Sequence, residues 1–130
     1  ISKSIVGRTA INRFIKDMIP KAKSSVMIVS TGLHVERYAK LLKNFVPNLS
    51  KKGIKTRLYS PYNKNALRKL QGIEHLEYNP NTSFITIDGK EMLFMVSNDS
   101  VAADYEVAVW IDSLFFVNAV NVLFEQGSRR

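Results

Sequence analysis

Cysteine is absent from the 130-residue chain, histidine occurs twice and tryptophan once. Without thiols there is no disulfide framework, no thiol nucleophile and no zinc site built on thiolates. No apolar run approaches the roughly 18 residues that a membrane-spanning helix needs, and the N-terminus shows no signal-peptide pattern. A cytoplasmic location with no membrane partner is the expectation. There is no internal repeat, low-complexity tract or linker either. What remains is an ordinary globular composition, 45% hydrophobic and 23% charged. The length suits one domain, since cores rarely split below roughly 250 residues. The chain starts at Ile1 rather than Met, so residues 1–130 are expected to be a single domain cut from a longer protein.

The formal net charge of +8 is spread unevenly. Residues 37–73 carry ten Lys or Arg and no acid, whereas residues 74–128 carry nine acids against Lys90 alone. Residues 1–36 hold six bases and two acids, and Arg129 and Arg130 close the chain. A basic stretch this dense can meet phosphates, an acidic partner or a membrane surface. Equally, the two stretches can fold against each other or solvate separate faces.

Periodicity supplies the elements. Ile11, Phe14, Ile15, Met18, Ile19 and Ala22 form one helical stripe, with Thr9 near its N-cap and Pro20 kinking or restarting it. Residues 26–30 read as a short buried strand. After Gly32, the stripe of Val35, Tyr38, Ala39, Leu42, Phe45, Val46 and Leu49 predicts a second helix, stopped by Gly53 in the left-handed conformation. Residues 54–60 alternate as a strand, Pro61 ends it, and Asn63 caps a short helix through Leu70. Beyond Gly72 the texture turns to strands at 75–78, 83–87, 91–97 and 107–111, with Asp88-Gly89 as a two-residue hairpin turn. Asp112 or Ser113 then caps a helix to about Gln126. The order predicts an α/β domain: a mixed sheet with parallel crossovers at the front, an antiparallel hairpin behind, and flanking helices.

The last helix is apolar nearly all round, with only Asn118, Asn121 and Glu125 as a polar stripe. Such a helix is either buried on several sides or used in association. Leu114, Phe115, Phe116, Val120, Leu123 and Phe124 are the candidate interface residues of a homodimer.

Four stretches, in this order and spacing, resemble the phospholipase D-like domain of TrmB-type archaeal transcriptional regulators. They are Ala22-Lys23-Ser24-Ser25-Val26-Met27-Ile28 after the first helix, and Lys52-Gly53-Ile54-Lys55-Thr56-Arg57-Leu58 followed by Pro61. The third is Ile73-Glu74-His75-Leu76 with Phe84-Ile85-Thr86-Ile87-Asp88-Gly89-Lys90-Glu91. The fourth is Val107-Ala108-Val109-Trp110-Ile111 leading to Leu123-Phe124-Glu125. The resemblance spans about Gly7 to Glu125. It departs at the end, where a tryptophan often follows the final Phe-Glu and Gly127-Ser128 stand here. The resemblance implies a phospholipase D-like mixed sheet, serving as an effector and dimerisation module beside an N-terminal winged-helix domain that binds DNA. Similar domains occur in archaeal sensor kinases, so the sensory domain of a signalling kinase is an alternative.

Phosphodiesterases of that superfamily use His-x-Lys-x4-Asp, the histidine as nucleophile and the lysine clamping phosphoryl oxygens. Counted back from Asp88, the lysine place holds Ser83 and the histidine place holds Asn81. An amide is no nucleophile here and a hydroxyl brings no charge to the transferring group. The family's Gly-Ser-x-Asn sequel survives only as Val96-Ser97-Asn98-Asp99. Asp88 itself is accounted for by the hairpin turn. No catalytic residue is assigned and no enzyme is expected. No motif implies a cofactor, and nothing in the spacing of His34 and His75 implies a metal.

Two candidate surfaces remain. Open α/β sheets bind ligands at the C-terminal ends of their strands. That crevice would gather Ser30, Thr31, His34, Ser60 and Tyr62, and, where the degenerate motif lies alongside, Asn81, Ser83, Ser97 and Asp99. The first five would make it polar and uncharged, suited to a small-molecule effector rich in hydroxyls or amides, and the motif residues alongside would make it a relic active-site cleft; the plain alternative is a set of ordinary loop residues. The basic stretch offers Lys51, Lys52, Lys55, Arg57, Lys64, Arg68 and Lys69 to DNA phosphates, which makes a nucleic-acid-binding module the other reading. In a dimer these residues would instead face the acidic half of the partner, with Arg57 the foremost candidate.

Overall fold

The computed structural model describes residues 1–128; the charges of Arg129 and Arg130 lie outside the described residues. Seven strands form one mixed sheet: β1 (Ser2–Val6), β2 (Ser25–Val29), β3 (Lys55–Ser60), β4 (Glu74–Glu77), β5 (Phe84–Ile87), β6 (Glu91–Met95) and β7 (Val107–Asp112). Their spatial order is β1-β7-β6-β5-β2-β3-β4. β2, β3 and β4 run parallel, and every other pairing is antiparallel. Parallel crossovers therefore lead into an antiparallel meander within a single sheet, as expected. The helices are α1 (Arg8–Met18), α2 (Val35–Leu42), α3 (Val46–Lys51), α4 (Lys64–Lys69) and α5 (Leu114–Ser128).

Local chemistry accounts for most boundaries. Ile11, Ile15 and Met18 are the buried stripe of α1, and Pro20 ends the helix in a 3₁₀ turn, Ile19–Lys21, rather than kinking it. Thr9 is not the cap. Gly7 holds that position with φ +93°, and its N–H donates to the Glu106 carbonyl at 2.7 Å. The single helix expected from Val35 to Leu49 is two, because Pro47 occupies the first turn of α3, where its missing N–H costs nothing. The apolar stripe runs across the break, with Val46 and Leu49 buried beside Leu42. Asn63 caps α4 as expected, its Oδ1 accepting the Ala66 N–H at 3.0 Å. Ser113 caps α5, its Oγ accepting from the Phe116 N–H at 3.2 Å.

The hairpin turn is centred on Asp88-Gly89, both at positive φ (57° and 64°). Ile87 pairs with Glu91, however, so Lys90 joins the loop and the connection has three residues rather than two. The Asp88 carboxylate reaches further than the turn: it accepts the backbone N–H groups of Lys23, Ser24 and Ser25 at 2.8–3.1 Å and the Ser24 hydroxyl at 3.0 Å. The hairpin tip is thereby pinned to the start of β2. Burial alone would raise the Asp88 pKa, but these donors outweigh it and hold it below the ordinary range.

The front face of the sheet is covered by α1 to α4, packing Ile11, Ile15, Ile19, Leu42 and Val46 against Val26, Ile28, Leu58, Ile85 and Leu93. The back face carries α5 alone. Val117 is buried there, and Phe124 stands edge-on to Tyr59, Tyr78 and Phe84 with ring centroids 4.9–5.5 Å apart.

Candidate functional site

Where β2 and β6 end and β5 begins, the chain forms a small cleft of about 170 Å³, lined by Asn81, Thr82, Ser83, Met95, Ser97, Asn98 and Asp99. The two degenerate motif segments thus converge. Thr31 and His34 adjoin it. The Thr31 N–H donates to Ser83 Oγ at 3.0 Å, and His34 Nε2 lies 3.4 Å from Asp99 Oδ1. His34 is 6% exposed at the N-cap of α2. Its burial lowers the imidazole pKa despite the Asp99 charge, with Arg37 adding to the fall. Burial also pushes the neighbouring Tyr38 phenol up to about 12. The Thr31 hydroxyl is buried with no hydrogen-bond partner.

Ser30, Ser60 and Tyr62 do not join this cleft. The Ser30 hydroxyl donates to the Thr31 carbonyl and the Ser60 hydroxyl to the Pro61 carbonyl, each at 2.8 Å. Tyr62 is exposed, its ring 6.5 Å from that of His75. His75 Nε2 approaches Ser60 Oγ at 3.1 Å, which has the look of a nucleophile and its base. The same nitrogen sits 3.0 Å from the Ser60 carbonyl, so it carries the hydrogen and cannot take another from the hydroxyl. Ser97 Oγ accepts the Val107 N–H at 3.0 Å. Among the described residues no imidazole is hydrogen-bonded to Ser83 or Ser97, and no group of three His, Asp or Glu could hold a metal.

The basic stretch does not make one surface. Lys51 and Lys52 end α3, Lys55 and Arg57 lie on β3, and Lys64, Arg68 and Lys69 on α4. Arg57 is paired within the chain, its Nε donating to Glu74 Oε1 at 3.0 Å on the adjacent strand. Arg68 donates to Asn65 at 2.8 Å. The unexpected cluster is elsewhere. Glu106, 2% exposed, is shared by two guanidiniums, with Arg8 Nε 3.0 Å from its Oε2 and Arg37 Nη1 2.9–3.0 Å from both oxygens. Burial alone would raise the Glu106 pKa; the Arg8 hydrogen bond and the charge of Arg37 win and lower it. Arg37 Nη2 also donates to Asn12 Oδ1 at 3.0 Å. Arg37–Glu106 and Arg57–Glu74 both join the basic stretch to the acidic one, so the two stretches do in part fold against each other.

The candidate dimer residues divide. Leu114, Phe115, Phe116 and Leu123 are exposed, Phe115 by 88%. Val120 and Phe124 face the sheet instead, half-buried against its back face. Because α5 covers only part of the back face, a hollow of about 270 Å³ stays open beside it, lined by Met92, Phe94, Val96, Val109, Ile111, Phe116 and Val120. None of these side chains is polar. Among the described residues no helix is long and apolar enough to cross a membrane.

No protein-family model matches the chain, and no curated protein matches it. Solved structures do. TrmBL2, an archaeal chromatin protein described with a novel mode of DNA binding, superposes with a TM-score of 0.74 at 18% identity, over 96% of this chain and 51% of its own. The chain therefore spans about half the length of that protein. NucT from Helicobacter pylori gives a TM-score of 0.71 at 20% identity, over 97% of this chain and 94% of its own. Nuc from Salmonella typhimurium, a phospholipase D family member, gives 0.70 at 15%, over 98% and 94%. With this strand order and these neighbours, the chain has the phospholipase D-like fold.

Proposed function

We propose that this chain is a non-catalytic phospholipase D-like domain that pairs with a second copy and serves as the effector and dimerisation module of a DNA-binding regulator. The observation that carries the reading is the uncovered back face. Exposed Phe115, Phe116 and Leu123 share one side of α5 as a ridge, next to the apolar hollow of Met92, Phe94, Val109 and Ile111 that Phe116 itself lines. A ridge and a hollow side by side on one surface suit a two-fold contact, in which each copy inserts its ridge into the other's hollow. Contiguous apolar surface of this kind is costly to leave in water. The similarity to TrmBL2, over half of that protein, supports placing a DNA-binding part outside this domain.

The absence of catalysis rests on Asn81 and Ser83 at the nucleophile and phosphate-clamp places of the superfamily motif, with Asp99 adding negative charge where a phosphodiester would sit. A cleft of hydroxyls and amides with a single carboxylate instead suits a small polar effector, hydrogen-bonded by Asn81, Asn98 and the unsatisfied Thr31 hydroxyl. Turnover of bis(4-nitrophenyl) phosphate is expected to be absent, and hydrolysis abolished by Ser83→Ala would overturn that part. A screen of polyols and amides by thermal shift tests the effector; a Tm rise retained in Asn81→Ala/Asp99→Ala would contradict the location.

A further inference from the structure

A second hollow lies on the front, among α1, α2 and α4. It measures about 650 Å³ and is lined by Arg8, Asn12 and Lys16 of α1, by Glu36, Arg37, Lys40 and Leu41 of α2, and by Lys69 of α4. We propose that this groove is a binding site for a small anion carrying two or more phosphates.

Charge comes first. Five cations line the groove, while Glu36 and the Glu106 carboxylate bound by Arg8 and Arg37 are the acids around it, leaving an excess of three positive charges. Like charges gathered from three helices repel one another, and an anion relieves that cost. The floor is already ordered. Arg37 is held by Glu106 and Asn12, its side chain 13% exposed, and Arg8 is held by Glu106. Above the floor, Lys16, Lys40 and Lys69 make no ion pair or hydrogen bond among the described residues. Flexible ammoniums over a fixed guanidinium base can close on a polyphosphate.

Shape selects a small ligand over a nucleic-acid backbone. The volume falls within the range of about 300–1,000 Å³ typical of small-molecule sites. The cations converge on a concavity instead of tracking along a ridge. Glu36 on the rim, whose Oε1 accepts from Asn65 at 3.3 Å, opposes a continuous phosphate chain but can accept from a ligand hydroxyl. The strand-end cleft could not take this ligand, because its charged groups are Asp99 and a histidine whose pKa is lowered by burial. The groove shares no lining residue with the effector cleft, and the proposal does not rest on that cleft.

Calorimetric titration with inorganic tripolyphosphate, at low and at physiological salt, is the test. One-to-one saturable binding is expected, weaker as salt rises. Lys16→Ala/Lys40→Ala/Lys69→Ala should weaken it about tenfold or more, from three exposed charge contacts acting together. Lys51→Ala/Lys52→Ala/Lys55→Ala, which removes the same charge at another place, should change it by no more than about twofold. Equal losses in the two variants would reduce the effect to general attraction and overturn the site, as would no saturable binding at low salt. Random duplex DNA binding more tightly than tripolyphosphate, and lost in the first variant, would make the groove a backbone contact and overturn the small-ligand assignment.

Discussion

On the front of the sheet, four helices meet strands lined with Val26, Ile28, Leu58, Ile85 and Leu93, and the buried side chains there are closed on every side. On the back, strands just as apolar meet one helix, which seals Met27, Val29, Tyr59 and Phe84 but leaves Phe94, Val109 and Ile111 half-covered. The front fits what one domain does to stabilise itself. The back is stabilised only halfway, and its remaining apolar surface is what a second copy would complete. Stability experiments on the two faces should therefore give different results for similar truncations.

The largest expected effect belongs to the front. Leu42→Ala removes a fully buried side chain and leaves a cavity the surrounding helices cannot fill, so a loss of about 3–4 kcal/mol is expected in urea unfolding. Phe124→Ala on the back should cost about 2 kcal/mol despite the larger side chain, because its site is open on one side. Equal losses would erase the contrast.

Much of the front was legible in the sequence because its signals are local. The stripe from Ile11 to Ile19, the Asn63 cap and the Asp88-Gly89 turn each depend on a few consecutive residues. Strand β1 was not legible. Ser2, Lys3 and Ser4 are exposed, and only Ile5 faces the core, so the segment has no strand pattern of its own and exists through its pairing with β7. Pro47 was visible, but the unbroken apolar stripe from Val35 to Leu49 masked it. The exposed side of α5 could be foreseen from composition. Which of its residues turn inward could not, because the helix phase is set by Val117 and Phe124 docking on Tyr59 and Phe84. The groove was hidden for the same reason as the Glu106 cluster. Arg8 and Glu106 are 98 residues apart, and no charge count along the chain pairs them.

Glu106→Gln comes next in size. It leaves Arg8 and Arg37 without their shared carboxylate, one of them mostly buried, and should cost about 2 kcal/mol at neutral pH. The pH dependence follows from the sign of the shifts. Glu106 and Asp88 are both held below their ordinary values in the fold. Each therefore contributes stability that is complete above the unfolded value and is lost as pH falls through the folded one, a window below about pH 4. The Gln variant should show a flatter acid limb in unfolding experiments between pH 5 and pH 2, roughly the range over which such carboxyls protonate. An unchanged limb would contradict the cluster's role.

Smaller still is Asp88→Asn, which keeps a residue tolerant of positive φ at the turn but replaces a carboxylate accepting four donors by one amide oxygen. About 1–2 kcal/mol of urea stability should be lost. A neutral result would mean that the turn alone, and not the tie to β2, explains the residue.

The most direct test is multi-angle light scattering of the chain at tens of micromolar, beside Phe115→Glu/Leu123→Glu. Both side chains are exposed, so the substitutions should leave the stability of the single copy within about 0.5 kcal/mol. A dimeric mass for the parent chain and a monomeric mass for the double variant are predicted. A monomer in both, or a dimer indifferent to the two charges, would contradict the pairing of copies through the open back face.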